Sequence, residues 1–182
     1  MQIDRTKLIG WMTGATSEVF GTMLGLEIEP GESYFEQAAL DTTGGVVAFI
    51  GLAGRWVGSG ILHCDASLAC KLHTHLLMIE DEAGGGAVTE DVLDAVAEIA
   101  NMIIGNIKNP LEEELGPMGM SIPTVIFGRN FTTRSAATDS WTVFPFQCCG
   151  EKAEVKMCLS PAPEVHEVRH GFTPATRVLP QS

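Results

Sequence analysis

Residues 89–108, T-E-D-V-L-D-A-V-A-E-I-A-N-M-I-I-G-N-I-K, constrain the fold of this chain more than any other stretch. Read at about 100° per residue, Val92, Val96, Ile99, Ile103 and Ile107 fall on one face of a helix. Thr89 is a cap residue, and Glu90 and Asp91 lie in the first turn, where the helix dipole favours acids. Asp94, Glu98, Asn101, Gly105 and Lys108 recur at steps of four, three, four and three on the opposite face. A solvated stripe would have the same period. Asn is the unusual member, because it prefers caps and turns to the middle of a helix.

Asp94-x-x-x-Glu98-x-x-Asn101, followed by Pro123 at the start of an apolar run, resembles the motif of the CheC/CheX/FliY phosphatases, which act on the phosphorylated chemotaxis response regulator CheY. The spacing from Asn101 to Pro123 holds 21 intervening residues, about one short of the family's usual spacing. The flanking text, E-I-A-N-M-I-I-G-N and S-I-P-T-V-I-F-G, is most similar to the CheX branch. The resemblance covers residues 3–159 in element order, but only residues 94–128 carry the specific motif.

At 182 residues the chain fits one domain, or two small pseudo-repeats sharing a core. Apolar residues make up 45% and charged residues 19%, enough for a globular core. A formal charge of −12 argues against nucleic acid, which demands clustered Lys and Arg. It suits an acidic surface meeting a basic spot on a partner. Asp4, Arg5 and Lys7 are followed only by the short L-I-G-W-M, so no signal peptide is expected. The longest apolar run, residues 46–53, is far below the roughly 20 residues that cross a bilayer. A soluble, cytoplasmic protein without a membrane partner is expected.

The five cysteines, Cys64, Cys70, Cys148, Cys149 and Cys158, form neither an even-numbered disulfide framework nor a C-x-x-C. Buried thiols in a reducing compartment are the simplest account. His73 and His75, two apart on a helix, point about 200° from each other, so no metal site is expected.

Along the chain, residues 4–24 predict a helix capped by Asp4 and ended by Gly25, with Leu8, Met12, Ala15, Val19 and Met23 on its apolar side. Within it, Gly14-x-x-x-Glu18-x-x-Gly21 echoes the central spacing with the amide replaced by Gly. Residues 33–40 predict a strand, and residues 45–53 and 56–63 a hairpin around Gly54-Arg55. Asp65 caps a helix to about Met78, with Leu68, Leu72, Leu76 and Ile79 in phase. Residues 80–87, with three consecutive glycines, form a joint. Pro110 predicts a kink in the central helix, then a short segment to Leu115 ended by Gly116. Residues 123–128 are a strand, and residues 141–149 and 152–159 a second hairpin around Gly150-Glu151. A domain over residues 1–160 is expected, with a Pro-containing tail at 161–182.

The fold class is therefore α/β (α+β), with long helices packed on a sheet of antiparallel hairpins. The resemblance implies the CheC/CheX-like fold with two pseudo-symmetric halves. It also implies a single site, since the first helix lacks the amide. In this family the substrate is a phospho-aspartate on a CheY-like receiver domain, which brings its own Mg²⁺, so no cofactor of the phosphatase itself is expected. Carried over, Asn101 positions the attacking water, and Glu98 pairs with the receiver's Lys. Asp94 either binds the receiver's rim or solvates the face, and Gly105 is either clearance for the partner or a tolerated helix Gly. Two further readings stand beside phosphatase activity: a non-catalytic receiver-binding or signalling module using the same acidic face, and a purely structural dimer. CheX-like members are similar to homodimers built through a sheet edge. The second hairpin, W-T-V-F-P-F-Q-C-C, is the expected pairing edge, with Pro145 on a non-pairing side or at a bulge.

Overall fold

The computed structural model describes residues 3–37, 39–42, 44–79, 86–128, 131–134 and 140–163. Asp4 caps α1 (Arg5–Val19), its carboxylate accepting from the backbone N–H of Thr6 at 2.9 Å and of Lys7 at 3.5 Å. Leu8, Met12, Ala15 and Val19 are buried at the expected spacing. The helix then widens into a π turn, Phe20–Leu24, closed by Gly25 at φ +64°. The extra residue slips the buried face by one position. Phe20 and Leu24 face the core, and Met23, expected there, is 47% exposed.

Asp65 caps α2 (Ala66–Leu77), its carboxylate accepting from Leu68 N at 2.7 Å. Leu68 and Leu72 are buried, but the helix stops at Met78 in the left-handed region, leaving Ile79 half exposed. The third helix, α3 (Glu90–Leu115), starts at Thr89, whose hydroxyl accepts from Val92 N at 3.4 Å. It runs as one element through Pro110, correcting the expected division at that residue. The ring removes one backbone bond, yet Leu111 and Leu115 continue the buried face beyond it. Packing there outweighs the local preference. Gly116 ends the helix, and the Glu112 side chain accepts from Met118 N at 2.9 Å to turn the chain into the sheet.

The strands are β1 (Glu29–Pro30), β2 (Tyr34–Gln37), β3 (Ala39–Thr42), β4 (Gly45–Gly54), β5 (Trp56–Cys64), β6 (Met118–Met120), β7 (Thr124–Gly128), β8 (Phe131–Arg134), β9 (Ser140–Cys148) and β10 (Glu151–Pro161). Eight form one sheet. β1 and β2 share one edge, then β9, β10, β5 and β4 follow, with β6 and β7 sharing the other edge. Every pairing is antiparallel. β3 and β8 make a separate two-stranded ribbon. The halves α1–β5 and α3–β10 thus repeat one order: helix, two short strands, ribbon strand, hairpin. Each half lends its short strands to the other half's hairpin, and β5 pairs with β10 at the centre.

This topology corrects the expectation for the second hairpin. β9 is flanked by β10 on one side and by β1 and β2 on the other, so it offers no free edge. Pro145 sits where the outer strand breaks between β1 and β2, and its carbonyl accepts from Gly31 N at 2.8 Å. A residue without an N–H is tolerated at such a break.

Val46, Ala48, Ile50 and Leu52 of β4 join the three helices in the main core, with the Phe20 ring edge-on to Phe146 at 5.2 Å. On the opposite sheet face Val47, Ile61, Trp141, Val143 and Cys158 form a smaller cluster. β10 extends one residue into the segment expected as tail. Ala162 N donates to Arg55 O at 2.9 Å, and residues 164–182, like joint residues 80–85, lie outside the described residues.

Candidate functional site

The central helix is held rigidly from below. Val92, Val96, Ile99, Ala100, Ile103, Ile104 and Ile107 are all 4% exposed or less. Ile104 lies on Gly60 of β5, where an added Cβ would come within 2.5 Å of the Ile104 Cδ1. Gly60 is thus what lets α3 approach the sheet so closely. On one flank α1 packs against α3, with Asn106 Nδ2 donating to Glu18 Oε2 at 3.5 Å and Lys7 paired to Glu114.

Asp94, Glu98, Asn101 and Gly105 lie on the outward side of this helix, in the stripe the sequence spacing predicts. Asp94 and Glu98 are exposed, and Asn101 and Gly105 are half-buried. Among the described residues, Asp94, Glu98 and Asn101 have no side-chain hydrogen-bond or ion-pair partner. Their neighbours on the helix are committed. Lys108 Nζ binds Glu112 Oε2 at 2.7 Å, which with the bond from Met118 N holds the Glu112 carboxyl below its usual range. An acid and an amide one turn apart, fixed by buried neighbours and otherwise free, can both reach a partner laid across the helix. The amide can accept from a water through its carbonyl and donate through its NH₂.

Gly105 opens toward the sheet edge, and its Cβ position lies 4.0 Å from the Met120 sulfur. Beyond Met120 the edge strand is interrupted. Leu52 pairs with Met120 and Phe49 with Thr124, so Ser121, Ile122 and Pro123 oppose only Ile50 and Gly51. The extra residue makes a bulge. Ser121 stabilises it from both sides: its N–H donates to Gly51 O at 2.9 Å, and its hydroxyl accepts from Gly51 N at 2.9 Å and donates to Ile122 O at 2.9 Å. Pro123 therefore sits in the bulge and not in the strand it was expected to open. Sequence reasoning missed Ser121. S-I-P between two apolar runs was the available signal, because Pro interrupts strand pairing.

The echo on α1 does not build a second copy of this arrangement. Glu18 is exposed and receives the Asn106 amide, and Gly21 falls inside the π turn, out of step with the helix that carries Glu18. Of the five cysteines, Cys64, Cys148 and Cys158 are buried, and Cys149 is exposed in the β9–β10 turn at φ +52°. Burial pushes the Cys64 thiol up, and pushes the Cys148 thiol up to about 12. His75 Nδ1 lies 3.1 Å from Leu24 O. Among the described residues no group of three or more His, Cys, Asp or Glu is placed to hold a metal ion.

The sequence profile of the chemotaxis phosphatase CheX family matches residues 46–147, more than half of the chain and all of the stripe. The chain belongs to the CheX family. Solved structures agree. Chemotaxis protein CheX from Desulfovibrio desulfuricans is similar with a TM-score of 0.72 and 25% identity, over 85% of this chain and 99% of that one. CheX from Vibrio vulnificus gives a TM-score of 0.72 and 26% identity, over 85% and 99%. The CheX–CheY–BeF3–Mg²⁺ complex from Borrelia burgdorferi contains a chain similar at a TM-score of 0.67 and 27% identity, over 87% and 99%. Among curated protein sequences none matches. No described helix of this CheX-family chain is long and apolar enough to cross a membrane.

Proposed function

We propose that this protein hydrolyses the phospho-aspartate of a CheY-like receiver domain, with α3 laid across the receiver's active site. The observation that carries the reading is the pairing of Glu98 and Asn101, one turn apart, uncommitted, on a helix fixed by its buried face. Membership of the CheX family and the Borrelia relative solved with CheY support the substrate class.

Asn101 enters the receiver site and holds a water in line with the phosphoryl group, opposite the leaving carboxylate. The water accepts from its NH₂ or donates to its carbonyl oxygen. Glu98 pairs with the receiver's Lys and sets the angle of the helix. Asp94 binds at the rim, and Gly105 leaves room for the partner's surface. The Mg²⁺ is the receiver's own. Since the substrate already carries its electrophile and metal, this chain supplies positioning and exclusion of bulk solvent. The working form is a cytoplasmic homodimer that closes one open sheet edge. The edge at β2 presents Tyr34 and Phe35, 41% and 46% exposed.

The test is phosphate release from a phosphorylated receiver by wild type and Asn101→Ala at matched concentration. Loss of one orienting group should slow release on the order of 10²-fold. Stability should hold or rise slightly, because the side chain faces outward and Ala is the better helix former. Equal rates would refute the role of Asn101. A wild type that binds the receiver but releases no phosphate would identify a binding module instead.

A further inference from the structure

We infer that the edge of the sheet beside the stripe is the apolar half of the receiver-docking surface, with Ile122 as its anchor. This rests on the proposed phosphatase reading and adds which residues choose the receiver.

Residues 118–128 carry no charge in a chain of formal charge −12. They form an apolar rail along the outer flank of α3. Met120 touches the Gly105 position at 4.0 Å, and β7 packs against α3. Val125 and Phe127 pair with Ala48 and Val46, so their side chains share the helix-bearing face of the sheet. Val125 packs into the main core, but Phe127 remains 50% exposed. Ile122 is 86% exposed at the tip of the bulge. Nothing in the fold requires a large apolar side chain there. Ser121 makes the three hydrogen bonds that hold the bulge, and Ile122 contributes only its carbonyl.

An interface with an apolar core and a charged flank has this composition. The rail and the stripe are continuous through the Gly105–Met120 contact, so a receiver seated over Glu98 and Asn101 also covers the bulge. The occupant is that receiver, through an apolar patch next to its phosphorylation site. Ser121 is a positioning residue that acts through Ile122.

The experiment compares wild type, Ile122→Asp, Ile122→Leu and Asn101→Ala, measuring phosphate release as a function of receiver concentration. Affinity for the beryllofluoride-loaded receiver and solution mass are measured in parallel. Ile122→Asp should raise KM and weaken affinity roughly tenfold with kcat unchanged, and Ile122→Leu should restore both. Asn101→Ala should lower kcat with KM unchanged. Unaltered KM and affinity in Ile122→Asp would overturn the rail while leaving the phosphatase reading intact. A change of solution mass without a change of affinity would also overturn it, assigning the bulge to contact between copies. If wild type releases no phosphate, the catalytic reading fails, and the affinity arm alone decides the rail.

Discussion

At the scale of single residues, charge and its surroundings explain most of what matters. Glu98 stands exposed and, among the described residues, has no cation beside it, so its charge is available to a partner. Glu98→Lys should weaken receiver binding with little effect on the fold, because like charges opposed in a desolvated contact cost far more than an exposed pair is worth. Titrations should show the loss shrinking as salt rises, through screening. Glu154 is the opposite case, a partly buried carboxylate whose oxygens are engaged by neighbours in its own chain. The His63 imidazole at 3.7 Å, then Lys156 Nζ at 3.0 Å and the Tyr34 hydroxyl at 3.0 Å, bring its carboxyl down to about 2. Lys156 is itself 5% exposed and shared with Glu36 at 3.2 Å. A carboxyl lowered by folding contributes stability that is complete above its unfolded value of about 4.5 and vanishes as pH falls toward about 2. Denaturant midpoints measured across that window should fall more steeply for wild type than for Glu154→Gln.

At the scale of elements, the site helix depends on what lies beneath it. α3 takes its position from Gly60, since any Cβ there would collide with Ile104. Gly60→Val should destabilise the fold by about 1–3 kcal/mol through overpacking. It should also reduce phosphate release from molecules that remain folded, because lifting α3 moves Asn101 relative to the Ser121 bulge. Thermal unfolding paired with single-turnover release separates the two effects. The two long helices differ in a way that fits one site. α3 continues as one α-helix past Pro110, whereas α1 loses its phase at Phe20–Leu24. An acid-and-amide pair needs an unbroken turn, and only α3 offers one with Asn at the right step.

At the scale of the whole molecule, the two halves exchange their outer strands, leaving β1–β2 and β6–β7 as the sheet's edges. Exposed edges are normally covered, charged or paired. A homodimer closing one of them should give twice the chain mass, about 39 kDa from 19.5 kDa per chain, in light scattering at micromolar concentration. A monomer mass would reject that assembly. The exchange of strands also explains why sequence reasoning placed the free edge wrongly. W-T-V-F-P-F-Q-C-C has the composition of a pairing strand and does pair, on both sides, within its own chain. No local signal says which partner a strand will take.

The sequence by itself determined the helices, their caps at Asp4, Asp65 and Thr89, both hairpins, and the outward stripe from Asp94 to Gly105. Each depends on contacts within a few residues: hydrophobic period, a side chain bonding the first turn, glycine in a turn. It also carried the family, because the spacing of Glu98 and Asn101 is a helical repeat. Only the tertiary structure decided the rest. Pro110 stays helical because Leu111 and Leu115 pack, Met23 turns outward because a π turn shifts the register, and Pro145 falls opposite a break in a strand from the other half. The bulge at Ser121–Pro123 arises from a mismatch of register against β4, a strand about seventy residues earlier. Such features depend on long-range pairing, whose partners are fixed by the global minimum of packing and not by any window of the sequence.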